Sequence, residues 1–365
     1  MRIKGDDIVM KIKVLVVDDS AFMRKVLSDI INNSDTMIVA GTAKNGEDAI
    51  DKIKTLKPDV VTLDVEMPVM DGLTALEKIM SESPIPVVML SSYTKKGADA
   101  TLRALELGAI DFISKPSSIF KVNTDDIIME INEKIMIASK AKFNKTIKKS
   151  LEKPIDQERS EILSKRRLTS RGSRIDKIIA IGTSTGGPKA LQEVIPRLPS
   201  NLNASVVIVQ HMPPKFTKSL AERLDGMSEF TVKEAEDREV LKPGYAYIAP
   251  GDHHLKVRKT GKDYQIILTQ EALVTGHRPS ADAMFYSIAD LGLFNVIGVI
   301  MTGMGSDGAK GLERIKHETG GYIIAQNEES CVVYGMPKSA VKTGVVDKEC
   351  DLQQISNEIV KAMGV

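Results

Sequence analysis

The pattern of apolar residues along the chain is the feature that most restricts its fold. Between Lys11 and about Phe120, short β-branched runs alternate with stretches in which apolar residues recur at helical spacing. This alternation is typical of a parallel sheet, because parallel strands need helical crossovers between them. The runs are KVLVV, MIVAGT, DVVTL, VVML and DFIS. They predict an α/β, doubly wound domain with a five-stranded parallel sheet over residues 11–130.

The same alternation starts again after residue 174 and predicts a second α/β domain over residues 175–365. The segment LKVRKTGKDYQIILTQ contains a Thr-Gly-Lys-Asp reverse-turn signal, which is typical of an antiparallel hairpin. We therefore expect a larger, mostly parallel, doubly wound sheet with some antiparallel content. Its other apolar runs are KIIAIG, SVVIVQ, YAYIAP, NVIGVIMTG and YIIAQN.

The remaining segments are predicted to be a tail and a linker. Residues 1–10 precede the first apolar run and form an N-terminal tail. Residues 131–174 are predicted to be the end of a helix and a linker that is rich in Lys and Arg. Such a segment is typical of a solvated tether, and docking to an acidic partner is the alternative.

Charge and cysteine content give no support to several functional classes. The 50 Lys and Arg residues balance 49 Asp and Glu residues, so the net charge of +1 gives no reason to expect nucleic acid as a partner. The two cysteines have no CxxC spacing, which supports neither a disulfide framework nor a cysteine metal site. The N-terminus has neither a signal-peptide pattern nor an apolar run of membrane-spanning length. We expect a cytoplasmic protein without membrane insertion.

Polar side chains follow the predicted strands of the first domain. Asp18 and Asp19 follow the first strand, Asp64 the third, Ser91 the fourth and Lys115 the fifth. The carboxyl ends of parallel strands meet at one edge of the sheet. Three carboxylates at one edge repel one another unless a hard divalent cation such as Mg²⁺ neutralises them. The sequence therefore predicts a Mg²⁺ site beside Asp64, whose carboxylate can accept a phosphoryl group.

These residues stand in the motifs VVDDS, LDVEMPVMDG, MLSS and SKP, which resemble those of the response-regulator receiver family. The resemblance covers about the first third of the chain and implies that Asp64 is phosphorylated. It also implies a cis Lys115–Pro116 bond. The Mg²⁺ ligands that it implies are Asp18, Asp19, Asp64 and the backbone carbonyl of Glu66. The residues that it implies for the receiver's conformational switch are Ser91, Phe112 and Lys115.

In the second domain, a GxSxG pattern follows the run KIIAIG on a predicted strand-to-helix turn. Ser184 at its centre is the candidate nucleophile. Backbone N–H groups at the start of the helix, including that of Thr185, are candidate donors to an oxyanion. The alternative, a nucleotide phosphate loop, is disfavoured because the GxGxxG spacing is absent and the next strand ends in Gln210 and His211.

A serine hydroxyl needs a base, and His211 follows the neighbouring strand SVVIVQ. Asp307, in the GMGSDG loop after NVIGVIMTG, is the candidate carboxylate that orients the imidazole. Glycines let this loop pass close to a substrate, and the N–H of Met304 is a second candidate oxyanion donor. The alternatives for this loop are an ordinary turn or another phosphate cradle.

The other histidines have weaker signals. His253, His254 and His277 lie in predicted loops, and three alternative roles are open for each: lining a pocket, facing solvent or binding a metal. Because His253 and His254 are adjacent, they have poor spacing for chelating a metal together. His317 is predicted to be a solvated helix residue. His277 and Arg278, in GHRPS, are predicted to contact substrate.

The order Ser, His, Asp differs from that of α/β-hydrolases. The segments IGTSTGGP, VIVQHMP, YIAPGDHHL, GHRPSADAMF and MTGMGSDGAKG instead resemble those of the chemotaxis protein-glutamate methylesterases. With the receiver motifs, this resemblance covers nearly the whole chain outside the tail and linker. It implies a hydrolase, activated by phosphorylation, that removes methyl esters from glutamates of methyl-accepting chemoreceptors, releases methanol and also deamidates glutamines.

The same resemblance implies the partners and cofactors. A chemotaxis histidine kinase donates the phosphate, Mg²⁺ serves receiver phosphorylation, and the esterase step needs no cofactor. We expect recruitment to receptor clusters. Two other functions are disfavoured: a transcription regulator would need a helix-turn-helix after the receiver, and a scaffold with a degenerate hydrolase domain would not need Ser184, His211 and Asp307 together.

Overall fold

The computed structural model describes residues 11–115, 125–141, 175, 177–294 and 296–364. The predicted tail, the Lys115–Pro116 bond and most of the predicted linker lie outside these residues. The chain divides into two compact units, Met1–Ile147 and Lys148–Val365, and the boundary falls within the predicted linker. Each unit is described by itself.

In the described residues of the first unit, five strands alternate with five helices, and every strand pairing is parallel. The strand order β2-β1-β3-β4-β5 is a doubly wound order, so the predicted five-stranded sheet is confirmed. The strands are β1 (Ile12–Val17), β2 (Met37–Ala43), β3 (Val60–Asp64), β4 (Val87–Ser91) and β5 (Asp111–Ser114). The helices are α1 (Ala21–Asn32), α2 (Gly46–Leu56), α3 (Gly72–Glu82), α4 (Lys95–Leu107) and α5 (Asp125–Lys140).

The central strands β3 and β4 are buried along their whole length, which explains why their sequences are nearly continuous apolar runs. Helix α3 begins at an N-cap, Asp71, whose side chain accepts a hydrogen bond from Thr74 N at 2.8 Å. Gly72 brings this helix against the end of β3, because a Cβ at this position would lie 2.0 Å from the backbone oxygen of Asp64. The close approach fixes the backbone that carries Asp64.

The second unit contains a seven-stranded sheet with the order β14-β13-β12-β6-β7-β9-β8, and all six pairings are parallel. Its strands are β6 (Lys177–Thr183), β7 (Ala204–Gln210), β8 (Thr231–Glu234), β9 (Tyr245–Ile248), β12 (Val296–Ile300), β13 (Tyr322–Gln326) and β14 (Lys348–Cys350). The strands β10 (His254–Thr260) and β11 (Asp263–Thr269) form a separate antiparallel pair. The predicted larger parallel sheet and hairpin are confirmed.

Helices connect the strands of this sheet, and a short 3₁₀ helix, Ile195–Arg197, follows the first of them. The helices are α6 (Gly187–Val194), α7 (Phe216–Met227), α8 (Ala281–Ala289), α9 (Ala309–Thr319), α10 (Met336–Lys342) and α11 (Leu352–Met363). Among the described residues, no helix combines the length and apolarity that a membrane span needs.

Two strands of the second unit were not predicted from the sequence. β8 and β14 lie at the two edges of the large sheet and have the sequences TVKE and KEC. Each pairs on one side only and is partly exposed, so neither needs the apolar run that marks a buried strand.

The central strands β6, β7 and β12 lead into the loops that carry the candidate catalytic residues. β7 and β12 are buried at every position. Because the three strands are parallel neighbours, the segments that follow them meet at one edge of the sheet. Ser184, His211 and the loop that contains Asp307 lie at this edge.

Candidate active site and phosphoacceptor site

Three carboxylates meet at the carboxyl edge of the first sheet. Ligand atoms of Asp18, Asp19 and Asp64 all lie within 4.8 Å of one another. Lys115 Nζ lies 2.8 Å from Asp18 Oδ2 and 2.7 Å from Asp64 Oδ2. Asp18 and Asp64 are buried, and the ammonium group of Lys115 is a partner of both carboxylates. Three carboxylates whose ligand atoms lie this close together offer the oxygen donors that a hard cation such as Mg²⁺ prefers.

The position of Asp64 affects its protonation. Burial raises the pKa of Asp64 to about 6, although the ammonium group of Lys115 opposes the shift. The negative charge of Asp18 raises this pKa further. A cation bound at these carboxylates would favour the ionised form, which is the nucleophile toward phosphorus.

The predicted switch residues Ser91 and Phe112 lie on β4 and β5, and Lys115 follows β5 directly. Ser91 Oγ is buried and donates a hydrogen bond to the backbone oxygen of Gly97 at 2.9 Å. The ring of Phe112 is buried, and Lys134 Nζ lies 4.9 Å from its centroid. Glu66 Oε1 lies 3.3 Å from Lys96 Nζ. The predicted Mg²⁺ ligand is the backbone carbonyl of Glu66, which is not part of this ion pair.

In the second unit, Ser184 lies on a tight turn between β6 and α6. Ser184 N donates to Thr302 O at 3.0 Å, and Gly187 N donates to Ser184 O at 2.8 Å. Gly303 passes so close that a Cβ there would lie 2.8 Å from Ser184 Cβ. Glycine at this position therefore lets the loop after β12 lie against the nucleophile.

Gln210, the last residue of β7, joins the ends of two strands. Its Oε1 accepts a hydrogen bond from the Thr183 hydroxyl. Its Nε2 donates to the backbone oxygens of Ser184, at 2.9 Å, and His211, at 3.2 Å. This amide therefore fixes the backbone of the candidate nucleophile relative to that of the candidate base.

His211 Nε2 lies 2.8 Å from Asp307 Oδ2, and the two side chains are only 8% and 1% exposed. An ionised carboxylate is an acceptor only, so Nε2 carries the proton in this contact. His211 Nδ1 is buried and has no hydrogen-bond partner. It is thus the ring nitrogen with an unused lone pair, and the hydrogen bond to Ser184 Oγ is not formed in this structure. Such contacts often shorten only when substrate binds.

The Asp307 carboxylate accepts several further hydrogen bonds at the start of α8. Oδ1 accepts from Thr275 Oγ1 at 2.6 Å, Ser280 Oγ at 2.7 Å and Asp282 N at 3.1 Å, and Oδ2 accepts from Ala281 N at 2.6 Å. Burial alone would raise the pKa of Asp307, but the contacts with His211, Thr275 and Ser280 outweigh it and hold this pKa well below its usual range. Asp307 is therefore ionised at neutral pH.

His277 stacks on His211, with ring centroids 4.0 Å apart and an interplanar angle of 20°. Burial, and secondarily the nearby His211, lower the pKa of His277 to about 4. His277 is therefore neutral at neutral pH and lies beside the candidate base.

Arg278 forms an ion pair and hydrogen bonds with other residues of the second unit. Its Nη2 lies 2.6 Å from Asp252 Oδ1, and its Nη1 donates to the backbone oxygens of Gln270 and Glu271 at 3.2 and 2.8 Å. These contacts occupy much of its donor capacity, so they give Arg278 a structural role beside the predicted substrate contact.

His253 and His254 contact backbone oxygens of Gly251 and Ala272, at 3.2 and 3.0 Å. Neither belongs to a possible metal-binding group: within the described ranges, only Asp18, Asp19 and Asp64 bring three or more such side chains together.

The two candidate oxyanion donors flank Ser184. Thr185 follows it directly, and its backbone oxygen accepts a hydrogen bond from Thr302 Oγ1 at 2.9 Å. Met304 follows Gly303, and the Met304 N–H donates to no backbone oxygen in the described chain.

Comparisons with known proteins agree with this arrangement. The family models described as CheB methylesterase and as response regulator receiver domain match residues 179–359 and 14–125. The protein-glutamate methylesterase/protein-glutamine glutaminase of Halalkalibacterium halodurans is 48% identical over 357 residues, which are 96% of this chain and 98% of that protein. The chain belongs to this family.

Other methylesterases give the same result. The protein-glutamate methylesterase/protein-glutamine glutaminase of Pyrococcus horikoshii is 46% identical over 359 residues, which are 97% of this chain and 94% of that protein. The crystal structure of the Thermotoga maritima CheB methylesterase catalytic domain is 45% identical, with a TM-score of 0.50, and covers 53% of this chain and 99% of that domain. The expected family and fold class are confirmed.

Several residues of the methylesterase site were missed from the sequence. Gln210 ends a predicted strand, but the contacts of its amide with the backbone of Ser184 and His211 depend on the fold. Ser280 precedes an apolar helix and has the N-cap signature, so its position was predictable but its bond to Asp307 was not. Thr275 and Thr302 have no local signal, because their partners lie far away in sequence.

Proposed function

We propose that this chain hydrolyses γ-methyl esters of glutamate side chains on methyl-accepting chemoreceptors, releases methanol and also deamidates glutamines of the same receptors. One observation carries the mechanism: His211 is held at 2.8 Å by an ionised carboxylate, while its buried second nitrogen has no partner at the sheet edge that carries Ser184. The names of the relatives, protein-glutamate methylesterase/protein-glutamine glutaminase, support both activities.

In the acylation step, Ser184 Oγ attacks the ester carbonyl carbon while His211 Nδ1 takes the hydroxyl proton. Asp307 stabilises the imidazolium through Nε2 and keeps the ring oriented. The N–H groups of Thr185 and Met304 donate to the oxyanion. His211 then returns the proton to the leaving methoxy oxygen, so methanol departs and a γ-glutamyl ester remains on Ser184.

In the deacylation step, His211 Nδ1 takes a proton from water, and the resulting hydroxide attacks the acyl-enzyme. The proton passes to Ser184 Oγ, and the glutamate carboxyl group is released. A glutamine substrate follows the same steps, except that ammonia leaves in place of methanol. Neither step needs a cofactor.

The receiver unit is proposed to control this activity through phosphorylation of Asp64 by a chemotaxis histidine kinase. Asp18, Asp19, Asp64 and the backbone carbonyl of Glu66 would hold Mg²⁺, which neutralises charge on the transferred phosphoryl group. Lys115 already contacts two of these carboxylates and is near enough to pair with a phosphoryl oxygen. Ser91 and Phe112 are the proposed switch residues, and recruitment to receptor clusters follows from the substrate.

The proposal is tested by methanol release from methylated receptor membranes, with and without a small phosphodonor plus Mg²⁺. We expect release that rises with the phosphodonor, disappears in Ser184→Ala and loses the response to phosphodonor in Asp64→Ala. Release that persists in Ser184→Ala would remove the serine mechanism. Ser184-dependent release that ignores the phosphodonor would leave the esterase and remove the proposed control.

A further inference from the structure

Residues 274–277 form a tight turn beside the methylesterase site. Val274 N donates to His277 O at 3.2 Å, and His277 N donates to Val274 O at 2.9 Å. The two central residues, Thr275 and Gly276, both have left-handed backbones, with φ of 51° and 81°. Two central residues with positive φ are characteristic of a type I′ turn.

Thr275 is an unfavourable residue for this position. A left-handed backbone is a genuine outlier for a β-branched residue, and type I′ turns normally take Asn, Asp or Gly. Backbone strain of this kind persists where the surrounding structure requires the residue, and it concentrates at functional sites. The side chain of Thr275 is therefore a candidate for a specific role.

That side chain contacts the carboxylate of the acid–base pair. Thr275 Oγ1 lies 2.6 Å from Asp307 Oδ1 and 2.7 Å from Val274 O. The hydroxyl has one proton to donate, and a charged carboxylate is the stronger acceptor. The donors on Oδ1 fix the rotation of the carboxylate, so that Oδ2 faces His211 Nε2.

The other end of the same turn contacts the other member of the pair. His277 stacks on the His211 ring at a centroid distance of 4.0 Å. Four consecutive residues thus hold Asp307 from one side and His211 from the other. The turn therefore fixes the orientation of the two side chains relative to each other.

We propose that Thr275 is a positioning residue for hydrolysis: its hydroxyl holds the Asp307 carboxylate in the rotation that orients His211, and the strained turn is retained for this contact. The inference rests on the proposed function, in which Asp307 orients the base. Thr275 does not touch the reacting atoms, so its loss should reduce turnover and leave substrate binding nearly unchanged.

The test uses full-length protein, methylated receptor membranes and phosphodonor, with kcat, KM and thermal midpoint measured separately. Thr275→Val keeps the branched shape and removes the hydroxyl, whereas Thr275→Ser keeps the hydroxyl and removes a methyl group. We expect kcat to fall about ten- to hundred-fold in Thr275→Val, as misplaced catalytic groups commonly cause. KM should change less than about three-fold, and Thr275→Ser should keep a nearly normal kcat.

Two further variants keep the test decisive. Thr275→Gly adopts the left-handed backbone freely and also lacks the hydroxyl, so it should show the same loss of kcat even if Thr275→Val folds poorly. Arg238→Gly relieves a left-handed residue elsewhere in the same unit, with φ of 62° and an exposed side chain. It should leave kcat unchanged.

The possible outcomes separate this inference from the proposed function. Wild-type kcat in Thr275→Val and Thr275→Gly would overturn the positioning role. Equal losses of kcat in Thr275→Val and Thr275→Ser would also overturn it, because the hydroxyl would not be the active feature. Ser184→Ala distinguishes the two claims: an active Ser184→Ala protein would reject the proposed mechanism itself.

Discussion

Asp307→Asn tests how the structure fixes the proton on His211. The two oxygens of Asp307 accept five hydrogen bonds, three at Oδ1 and two at Oδ2, and one of the latter comes from His211 Nε2. An amide has one acceptor and one donor group in place of the two oxygens. The orientation of the amide therefore decides the result.

If the new NH₂ group replaces Oδ2, two donors, the NH₂ group and Ala281 N–H, face each other. His211 Nε2 would then have to accept a hydrogen bond from the NH₂ group. If it replaces Oδ1, the hydroxyls of Thr275 and Ser280 can rotate to accept, and only Asp282 N–H loses its partner. The second orientation is favoured, because it spares the contact with His211. His211 should then keep its proton on Nε2.

The expected magnitudes follow from this orientation. A buried N–H left without an acceptor costs about 1–3 kcal/mol, and the lost negative charge at the start of α8 costs about 0.3–1 kcal/mol. The free energy of unfolding should therefore fall by about 1–4 kcal/mol. The imidazolium loses its counter-charge but not its orientation, so kcat/KM should fall about 10²- to 10³-fold, less than the ~10⁴-fold known for a reversed tautomer.

The assay combines methanol release, urea denaturation and ¹⁵N NMR of His211 in Asp307→Asn, with Asp307→Ala as the control that removes both functional groups. A kcat/KM within about three-fold of wild type would refute the role of Asp307. NMR evidence for a proton on Nδ1 would refute the orientation argument, even if activity fell as expected.

Four other outcomes are expected. In Gly303→Ala, the new Cβ would lie 2.3 Å from Met336 Sδ and 2.8 Å from Ser184 Cβ. The free energy of unfolding should therefore fall by about 1–3 kcal/mol, and methanol release should drop. Gly226→Ala is the control, because its new Cβ meets no atom within 4 Å. Burial raises the pKa of Asp282 from 3.8 to about 6, so its folded state favours the protonated form and stability is lost as pH rises from about 4 to about 6. Asp282→Asn should therefore gain up to about 3 kcal/mol relative to wild type between pH 4 and pH 8 in urea denaturation, and a constant difference would contradict this. Burial lowers the pKa of His277 to about 4, so wild-type stability is lost as pH falls from about 6.5 through 4; His277→Gln should flatten this part of a plot of thermal midpoint against pH. Chelation of Mg²⁺ should abolish the response to phosphodonor and spare the basal release, because all the predicted ligands lie in the receiver unit; a loss of basal release would argue for a metal in the esterase step.

The fold class followed from the sequence because buried parallel strands must be continuous apolar runs. The central strands β3, β4, β7 and β12 are buried along their length and were all predicted. The partly exposed edge strands β8 and β14 were missed, since a strand paired on one side can carry charges. The spacing of apolar residues therefore reveals a strand where the strand is buried, and it does not reveal a strand that is partly exposed.

The candidate site was predicted in part for a related reason. Segments that follow parallel strands must meet at one edge, so the sequence placed Ser184, His211 and Asp307 together before any distance was known. The adjacency of β6 to both β7 and β12 comes from the strand order, which local sequence does not encode.

Only the tertiary structure decided how these groups are held. His211 and Asp307 are 96 positions apart, and Thr302 and Thr185 are 117 apart, so nothing in the local sequence reports their contacts. In the structure His211 Nε2 contacts Asp307, whereas the buried Nδ1 has no hydrogen-bond partner. It also brought the hydroxyl of Thr275 to Asp307 through a strained backbone that no propensity favours. Residue types and spacing determine which chemistry is available, whereas hydrogen-bond partners depend on side-chain directions that only packing fixes.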